Sequence, residues 1–263
     1  MSVPPLTWLY VPADRPDRVE KALASRAHAV VVDLEDGVAP AAREHGRARL
    51  AELLRDECEK PVVVRVNAGD RDDLDAVAPL PVAGVVVPKV ASPDGVPRLE
   101  LPVHCLIESA AGVEAAYEIA RVPGVIRISL GEADLRSETG AGEAGLDWAR
   151  SRIVNAAVAA GLPRPPQSVY PALGDEDGLR RSCLRGRELG HLGRMAIHPA
   201  QLQPIEQAYL PTAAELERAR ETLARLESDA TPTRLADGGF VDAAMVGAAR
   251  LVVELAERYG TGR

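Results

Sequence analysis

Aromatic residues are scarce in this chain of 263 residues, at 3%, with Phe only at 240 and Trp only at 8 and 148. Any sizeable core must therefore be aliphatic, and the 46% hydrophobic content is enough to build one. Cysteine is sparse as well. Cys58, Cys105 and Cys183 form no C-x-x-C pair, which excludes a disulfide framework and a thiolate zinc site and fits a reducing compartment. Positive charge is outweighed, with 31 Lys+Arg against 39 Asp+Glu, and Lys stands only at 21, 60 and 89. The net charge of -8 argues against a protein that coats nucleic acid or an anionic membrane surface. No apolar run approaches the ~18 residues of a membrane span, and the opening MSVPPLTWLY lacks the basic and apolar regions of a signal peptide. The expectation is a soluble, cytoplasmic protein. Walker A, G-x-S-x-G and H-E-x-x-H motifs are missing, which removes the P-loop, serine-hydrolase and zincin readings. The stretch 140–145 matches G-x-G-x-x-G, but it does not directly follow a strand and reads as a loop.

What is present is a recurring short apolar run rich in β-branched residues. Eight are predicted as strands: 8–12, 29–34, 62–66, 84–88, 103–107, 125–130, 168–171 and 194–198. Several, such as AVVVDL and GVVVPKV, are continuously apolar, as parallel strands covered on both faces require. Helical segments are expected between them, at 17–26, 41–58, 111–121, 146–160 and 176–189. Eight βα repeats in about 250 residues predict a (β/α)8 TIM barrel rather than an open doubly wound sheet. This barrel is assigned to residues 1–210. Residues 211–263 are assigned to a C-terminal helical extension, in which Thr212 and Glu215 have capping-box spacing.

Barrel enzymes gather their chemistry at the C-terminal ends of the strands, and here those ends are strongly polar. They carry Asp14-Arg15, Asp33 to Asp36, Arg65 to Asn67, Lys89, Glu108-Ser109, Glu132 with Asp134, and His198. Glu108 and Asp134 stand one repeat apart, so their carboxylates can converge. Two carboxylates with room for water and substrate oxygens suit Mg2+ rather than zinc; the bland alternative is helix capping or pairing with arginine. In DLEDGV the acids repel each other unless a cation lies close, so Glu35 and Asp36 are read as holding water or positioning basic neighbours, against a simple acidic turn. Arg65, within VVVRVN, can grip a substrate carboxylate, pair with the DLED acids, or do both. Lys89 is either a point charge for substrate or an internal ion-pair partner. His198 is read as packing or hydrogen bonding, and His28, His45, His104 and His191 as surface or entry-face residues.

Taken in order, LYVPADRPDRVEKAL, VVVDLEDGVAP, VVVRVN, VVVPKV, LIESAAG, LGEADL, LDWARSRIVNAAVAAG, MAIHPAQL with AYLP, and GGFVDAAMVGAA run from about Trp8 to Tyr259. This succession resembles the CitE-like enzymes, similar to the citrate lyase beta subunit, within the HpcH/HpaI aldolase group. The resemblance implies a Mg2+-dependent barrel that cleaves or forms a C–C bond in a β-hydroxyacyl-CoA thioester of malyl, citramalyl or citryl type, through acetyl-CoA and a 2-oxo acid. It implies that Glu108 and Asp134 ligate the metal, that Arg65 holds the oxo-acid carboxylate, and that Glu35 and Asp36 order water and substrate. It further implies that Arg15, Arg18 and Lys21 face the CoA phosphates. Asp242 matches an acid that enters a neighbouring subunit's active site as acid/base, which implies a homotrimer or hexamer with the C-terminal extension as lid.

The chain departs from this family where Pro12-Ala13 replaces the commoner Pro-Gly, where His28 replaces an acid, where PPQSVYP replaces an Ile-Asp-rich stretch, and where Arg194 replaces a Lys. None of these touches the carboxylate pair. Alternatives to the lyase are an acyl-CoA thioester hydrolase, a citrate lyase subunit acting on a carrier-protein thioester, and, with the site idle, an assembly partner.

Overall fold

The computed structural model describes residues 3–228, 233–234, 240–241 and 243–260. Its first compact unit, Pro5–Ala208, alternates strand and helix. In order these are β1 (Thr7–Pro12), α1 (Pro16–Leu23), β2 (Ala29–Asp33), α2 (Arg43–Leu53), β3 (Val62–Arg65), α3 (Arg71–Val77), β4 (Gly84–Val87) and β5 (Val103–Ile107). The series continues with α4 (Ala110–Glu114), α5 (Ala116–Ala120), β6 (Val125–Leu130), α6 (Glu132–Thr139), α7 (Leu146–Ala159), α8 (Glu176–Glu188), β7 (Arg194–Ala196) and α9 (Leu202–Tyr209).

The seven strands form one parallel sheet in the order β6-β5-β4-β3-β2-β1-β7. The central strands are buried on both faces, with Val30, Val31 and Val32 all at 0% exposure, which explains their unbroken apolar sequence. Trp8, Ala29, Val31, Val63, Val86, Leu106 and Met195, drawn from six of these strands, meet in one cluster. A flat sheet could not bring β5 and β7 side chains together; the sheet is curled around this cluster.

The curl is not closed by backbone pairing, which corrects the expectation of eight strands. The expected seventh run, 168–171, forms no strand; only Gln167 bridges Arg194, with N–H to O=C distances of 2.9 Å to Gly193 and 3.0 Å from Met195. On the β6 side the Glu132 N–H, just past the end of that strand, donates to Ser168 Oγ at 3.3 Å. Pro165, Pro166 and Pro171 have no N–H to donate, so this segment cannot sustain ladders on both sides.

Two histidines also depart from expectation. His104 and His191 are 2% and 1% exposed. His104 meets the Trp8 ring edge-on and contacts Ser129 Oγ through Nε2 at 2.8 Å. His191 Nδ1 lies 3.2 Å from the Pro165 carbonyl, and burial pushes its pKa down to about 4. The unfolded chain then binds the proton at pH values between about 4 and 6.5 where the folded chain does not, so stability present at neutral pH is lost as pH falls through this window. We expect the wild type to lose about 2 kcal/mol through His191 between pH 7 and 5. Urea unfolding of His191→Gln at both pH values should show a smaller loss; an equal loss in the two proteins would contradict the assignment.

The second unit comprises Tyr209–Arg263 with Met1–Pro4. Within it α10 (Ala213–Ser228) packs on α11 (Val246–Tyr259), and β8 (Thr233–Arg234) pairs antiparallel with β9 (Phe240–Val241). The capping box forms as its spacing predicts: the Thr212 N–H donates to Glu215 Oε2 at 2.8 Å, and the Glu215 N–H to Thr212 Oγ1 at 3.2 Å. Asp242 lies outside the described residues.

Candidate active site

The C-terminal ends of the parallel strands surround a cavity of about 390 Å³. Of the sequence-predicted site residues, Arg18, Asp36, Arg65, Glu108 and Asp134 line it, as does Glu132. Ser109 and His198 stand outside it as helix caps: Ser109 Oγ accepts the Gly112 N–H, and His198 Nδ1 accepts the Ala200 N–H. Asn67 binds the Leu34 carbonyl and Asp73, a structural task.

Glu108 follows β5, and Asp134 sits in the first turn of α6, directly after the adjacent strand β6. Burial, reinforced by a hydrogen bond with Asp134 and by its charge, pushes the Glu108 carboxyl up to about 8. The Asp134 carboxylate is thus within hydrogen-bond reach of Glu108, and two acids this close repel when both are charged. Glu108 Oε1 also accepts the Lys89 N–H at 2.7 Å. Lys89 has φ 58°, the one non-glycine residue with positive φ among those described, and this left-handed position comes after Pro88, just past the end of β4. Such strain is kept where surrounding contacts reward it. Here the Lys89 backbone faces Glu108 while its Nζ reaches Glu35 Oε1 at 2.8 Å.

Gly131 was not singled out by the sequence beyond its place in LGEADL. A Cβ there would lie 2.6 Å from Glu108 Cβ and collide with Glu108 Oε2. The glycine is therefore what allows the two acidic segments to approach. Gly131→Ala is expected to displace Glu108 and, if the carboxylate pair holds a divalent cation, to weaken its binding by ~100-fold or more, read by Mg2+ calorimetry. Unchanged affinity would remove the carboxylate pair from the metal site.

The DLEDGV segment wraps Arg65. Asp33 accepts Arg65 Nε and Nη2, both at 2.7 Å, and also the Glu35 and Gly37 N–H groups at 3.0 and 2.8 Å. Arg65 Nη1 donates to Asp36 Oδ2 at 3.2 Å. It lies 3.0 Å from Glu35 Oε2, an ion pair whose angle leaves that buried oxygen without a hydrogen bond. The guanidinium stacks 4.9 Å from the Tyr10 ring centre. Its acidic partners keep Arg65 charged despite burial. Glu35 is raised above its ordinary value because burial outweighs the nearby Lys89 and Arg65 charges. Glu35 is 3% exposed and does not line the cavity, unlike Asp36.

The basic group on and before α1 is split. Arg18 lines the cavity, while Arg15 and Lys21, with side chains 49% and 81% exposed, pair loosely with Asp17 at 3.9 and 4.0 Å. Glu132, counted among the rim acids, is held by Arg150 at 2.9 and 2.6 Å. Arg150 also reaches Glu143 and Asp147, a network that no local motif announced.

The comparisons agree with this geometry. The model of the HpcH/HpaI aldolase/citrate lyase family matches residues 6–101 and 95–199. A (3S)-malyl-CoA thioesterase from Cereibacter sphaeroides is 34% identical over 97% of this chain and 95% of its own. An L-malyl-CoA/beta-methylmalyl-CoA lyase from the same species is 29% identical over 95% and 93%. The crystal structure of CitE from Mycobacterium tuberculosis with magnesium, acetoacetate and coenzyme A superposes with a TM-score of 0.82 at 32% identity, covering 96% of this chain and 98% of that one. The chain belongs to the HpcH/HpaI aldolase/citrate lyase family.

Proposed function

We propose that this chain is a Mg2+-dependent lyase that cleaves, or in reverse forms, the C–C bond of a β-hydroxyacyl-CoA thioester of malyl, citramalyl or citryl type, with acetyl-CoA and a 2-oxo acid as products. The carbon–carbon lyase class follows from the family. The observation that carries the finer reading is the close approach of two acidic side chains, Glu108 and Asp134, inside a cavity lined by Arg65. A divalent cation relieves that crowding, and an all-oxygen donor pair fits Mg2+ rather than zinc. Among the described residues no group of three His, Cys, Asp or Glu converges as a metal site, so water and substrate oxygens would complete the shell, as Mg2+ sites commonly allow.

When bound, the cation would supply Lewis-acid stabilisation of the alkoxide left when the hydroxyl loses its proton; as the C–C bond breaks, that oxygen becomes the oxo-acid carbonyl and the electron pair passes to the thioester enolate. In this reading Glu108 and Asp134 hold it. Arg65 offers its remaining N–H groups to the oxo-acid carboxylate, and Asp36 with Glu35 orders water and substrate beside it. Arg18, with Arg15 and Lys21, meets the CoA phosphates. Asp242 moves the hydroxyl proton from a neighbouring subunit of a homotrimer or hexamer. The segment 168–171 takes the seventh position, between β6 and β7, of a (β/α)8 TIM barrel over 1–210, and 211–263 forms the lid. No helix among the described residues is long and apolar enough to cross a membrane; a cytoplasmic location completes the proposal.

The thioesterase relative favours a second reading, hydrolysis of the same thioester at the same site. Purified protein with Mg2+ and a panel of malyl-, citramalyl- and citryl-CoA separates the two. Release of a 2-oxo acid with acetyl-CoA supports the lyase. Free CoA with the intact hydroxy acid supports the hydrolase and overturns the lyase reading.

A further inference from the structure

A second cavity, of about 860 Å³, opens beside the first and shares Glu132, Ala133, Ser168 and Val169 with it. It lies among the start of α6, the segment 168–172 and α8. Three of its arginines are neutralised. Arg136 pairs with Glu143 at 2.7 Å, Arg150 with Glu132 at 2.6 Å, and Arg185 with Asp147 at 2.8 Å.

Arg194 and Arg181, which also line the cavity, are different. Arg194 is 2% exposed, and its Nη1 donates to Gln167 Oε1, Ser182 Oγ and Cys183 Sγ at 3.2, 2.9 and 3.7 Å. Its guanidinium lies 5.4 Å from the Tyr170 ring centre. The acids that line the cavity with it, Glu132 and Glu143, are held by Arg150 and Arg136, and among the described residues none forms an ion pair with Arg194; its Nε is buried without an acceptor. A guanidinium this deeply buried costs several kcal/mol unless a counter-charge is supplied. Arg181, exposed on α8 next to Ser182, likewise makes no ion pair among the described residues. Asp175, at the head of that helix, is engaged by the Tyr170 hydroxyl at 2.7 Å and the Gly178 N–H at 2.8 Å.

Two guanidinium groups with no acid at ion-pair distance among the described residues, Arg181 feeling Asp175 only at longer range, make with the Ser182 hydroxyl a receptor for a dianionic oxyanion; a single carboxylate would leave one positive charge unmatched. We propose that this cavity binds a phosphoryl group, at a site separate from Arg15, Arg18 and Lys21. The inference does not depend on the lyase reading. Its ligand is either free phosphate or pyrophosphate, or a phosphate carried by a coenzyme A molecule. Because the cavity shares a wall with the candidate active site, an anion there would sit against the back of Glu132.

The test is calorimetric titration of the metal-free protein with inorganic phosphate and with pyrophosphate, so that its outcome is independent of turnover. Saturable binding is expected, weakened about 10-fold in Arg181→Ala and by more in Arg194→Met. Arg181 is exposed, so its variant keeps the fold and the test stands even if Arg194→Met does not fold. Loss of phosphate binding on adding coenzyme A, but not dephospho-coenzyme A, would assign the phosphoryl group to coenzyme A's ribose phosphate; unaffected binding would assign it to the free anion. No saturable binding up to about 10 mM, or unaltered affinity in Arg181→Ala, would overturn the proposal.

Discussion

Asp134→Asn is expected to lower the proposed Mg2+-dependent turnover about 10³-fold or more, equivalent to about 4 kcal/mol of transition-state stabilisation. The substitution is nearly isosteric, but it leaves the proposed metal one anionic oxygen ligand instead of two. Stability should move the other way. In the metal-free protein Asp134 crowds Glu108, whose carboxyl is already raised to about 8 by burial and by this neighbour. Removing the Asp134 charge relieves that crowding, so the urea midpoint should hold or rise while activity collapses, a trade-off expected of functional sites. Steady-state kinetics, Mg2+ calorimetry and urea unfolding on one preparation check all three. Turnover within tenfold of the wild type at saturating Mg2+ would remove Asp134 from the metal site. A parallel fall in stability would instead assign the loss to damage of the fold.

The carboxylate pair was legible in the sequence because each acid ends an apolar run, and consecutive parallel strands place such ends side by side. The central strands were legible for a related reason: AVVVD carries no polar alternation because both its faces are buried. The segment around Ser168 misled because SVYP has strand-like composition. What decides its state is the lack of N–H donors at Pro165, Pro166 and Pro171, which matters only once ladders on two sides are required. Residues whose role depends on a distant partner were not legible. Gly131 is informative only because Glu108, from the preceding strand, fills the space where a Cβ would stand. His104 and His191 read as peripheral because their neighbours Ser129 and Pro165 lie 25 and 26 positions away. Arg150 gave no local sign of gathering Glu132, Glu143 and Asp147.

Arg65→Met is expected to destabilise the protein by about 3–5 kcal/mol, because removing one member of a buried ion pair leaves the other uncompensated. Asp33 would keep only the Glu35 and Gly37 N–H groups, and its side chain is 4% exposed. Glu35, equally buried, would lose its Arg65 contact and retain Lys89. The loss should therefore be shared between two acids, which a double-mutant cycle can resolve. Adding Asp33→Asn to Arg65→Met removes one stranded charge and should recover about 1–3 kcal/mol, although either change alone destabilises. Arg65→Lys separates stability from chemistry. It keeps the positive charge but loses the two parallel hydrogen bonds to Asp33, so the fold should survive with a smaller cost while turnover falls about 100-fold or more through misplaced substrate. Urea unfolding of the four proteins in the cycle, with kinetics on the lysine variant, provides the check. If Arg65→Met cost less than about 1 kcal/mol, or if Asp33→Asn gave no recovery, Asp33 would not be the partner that fixes the guanidinium beside the cavity.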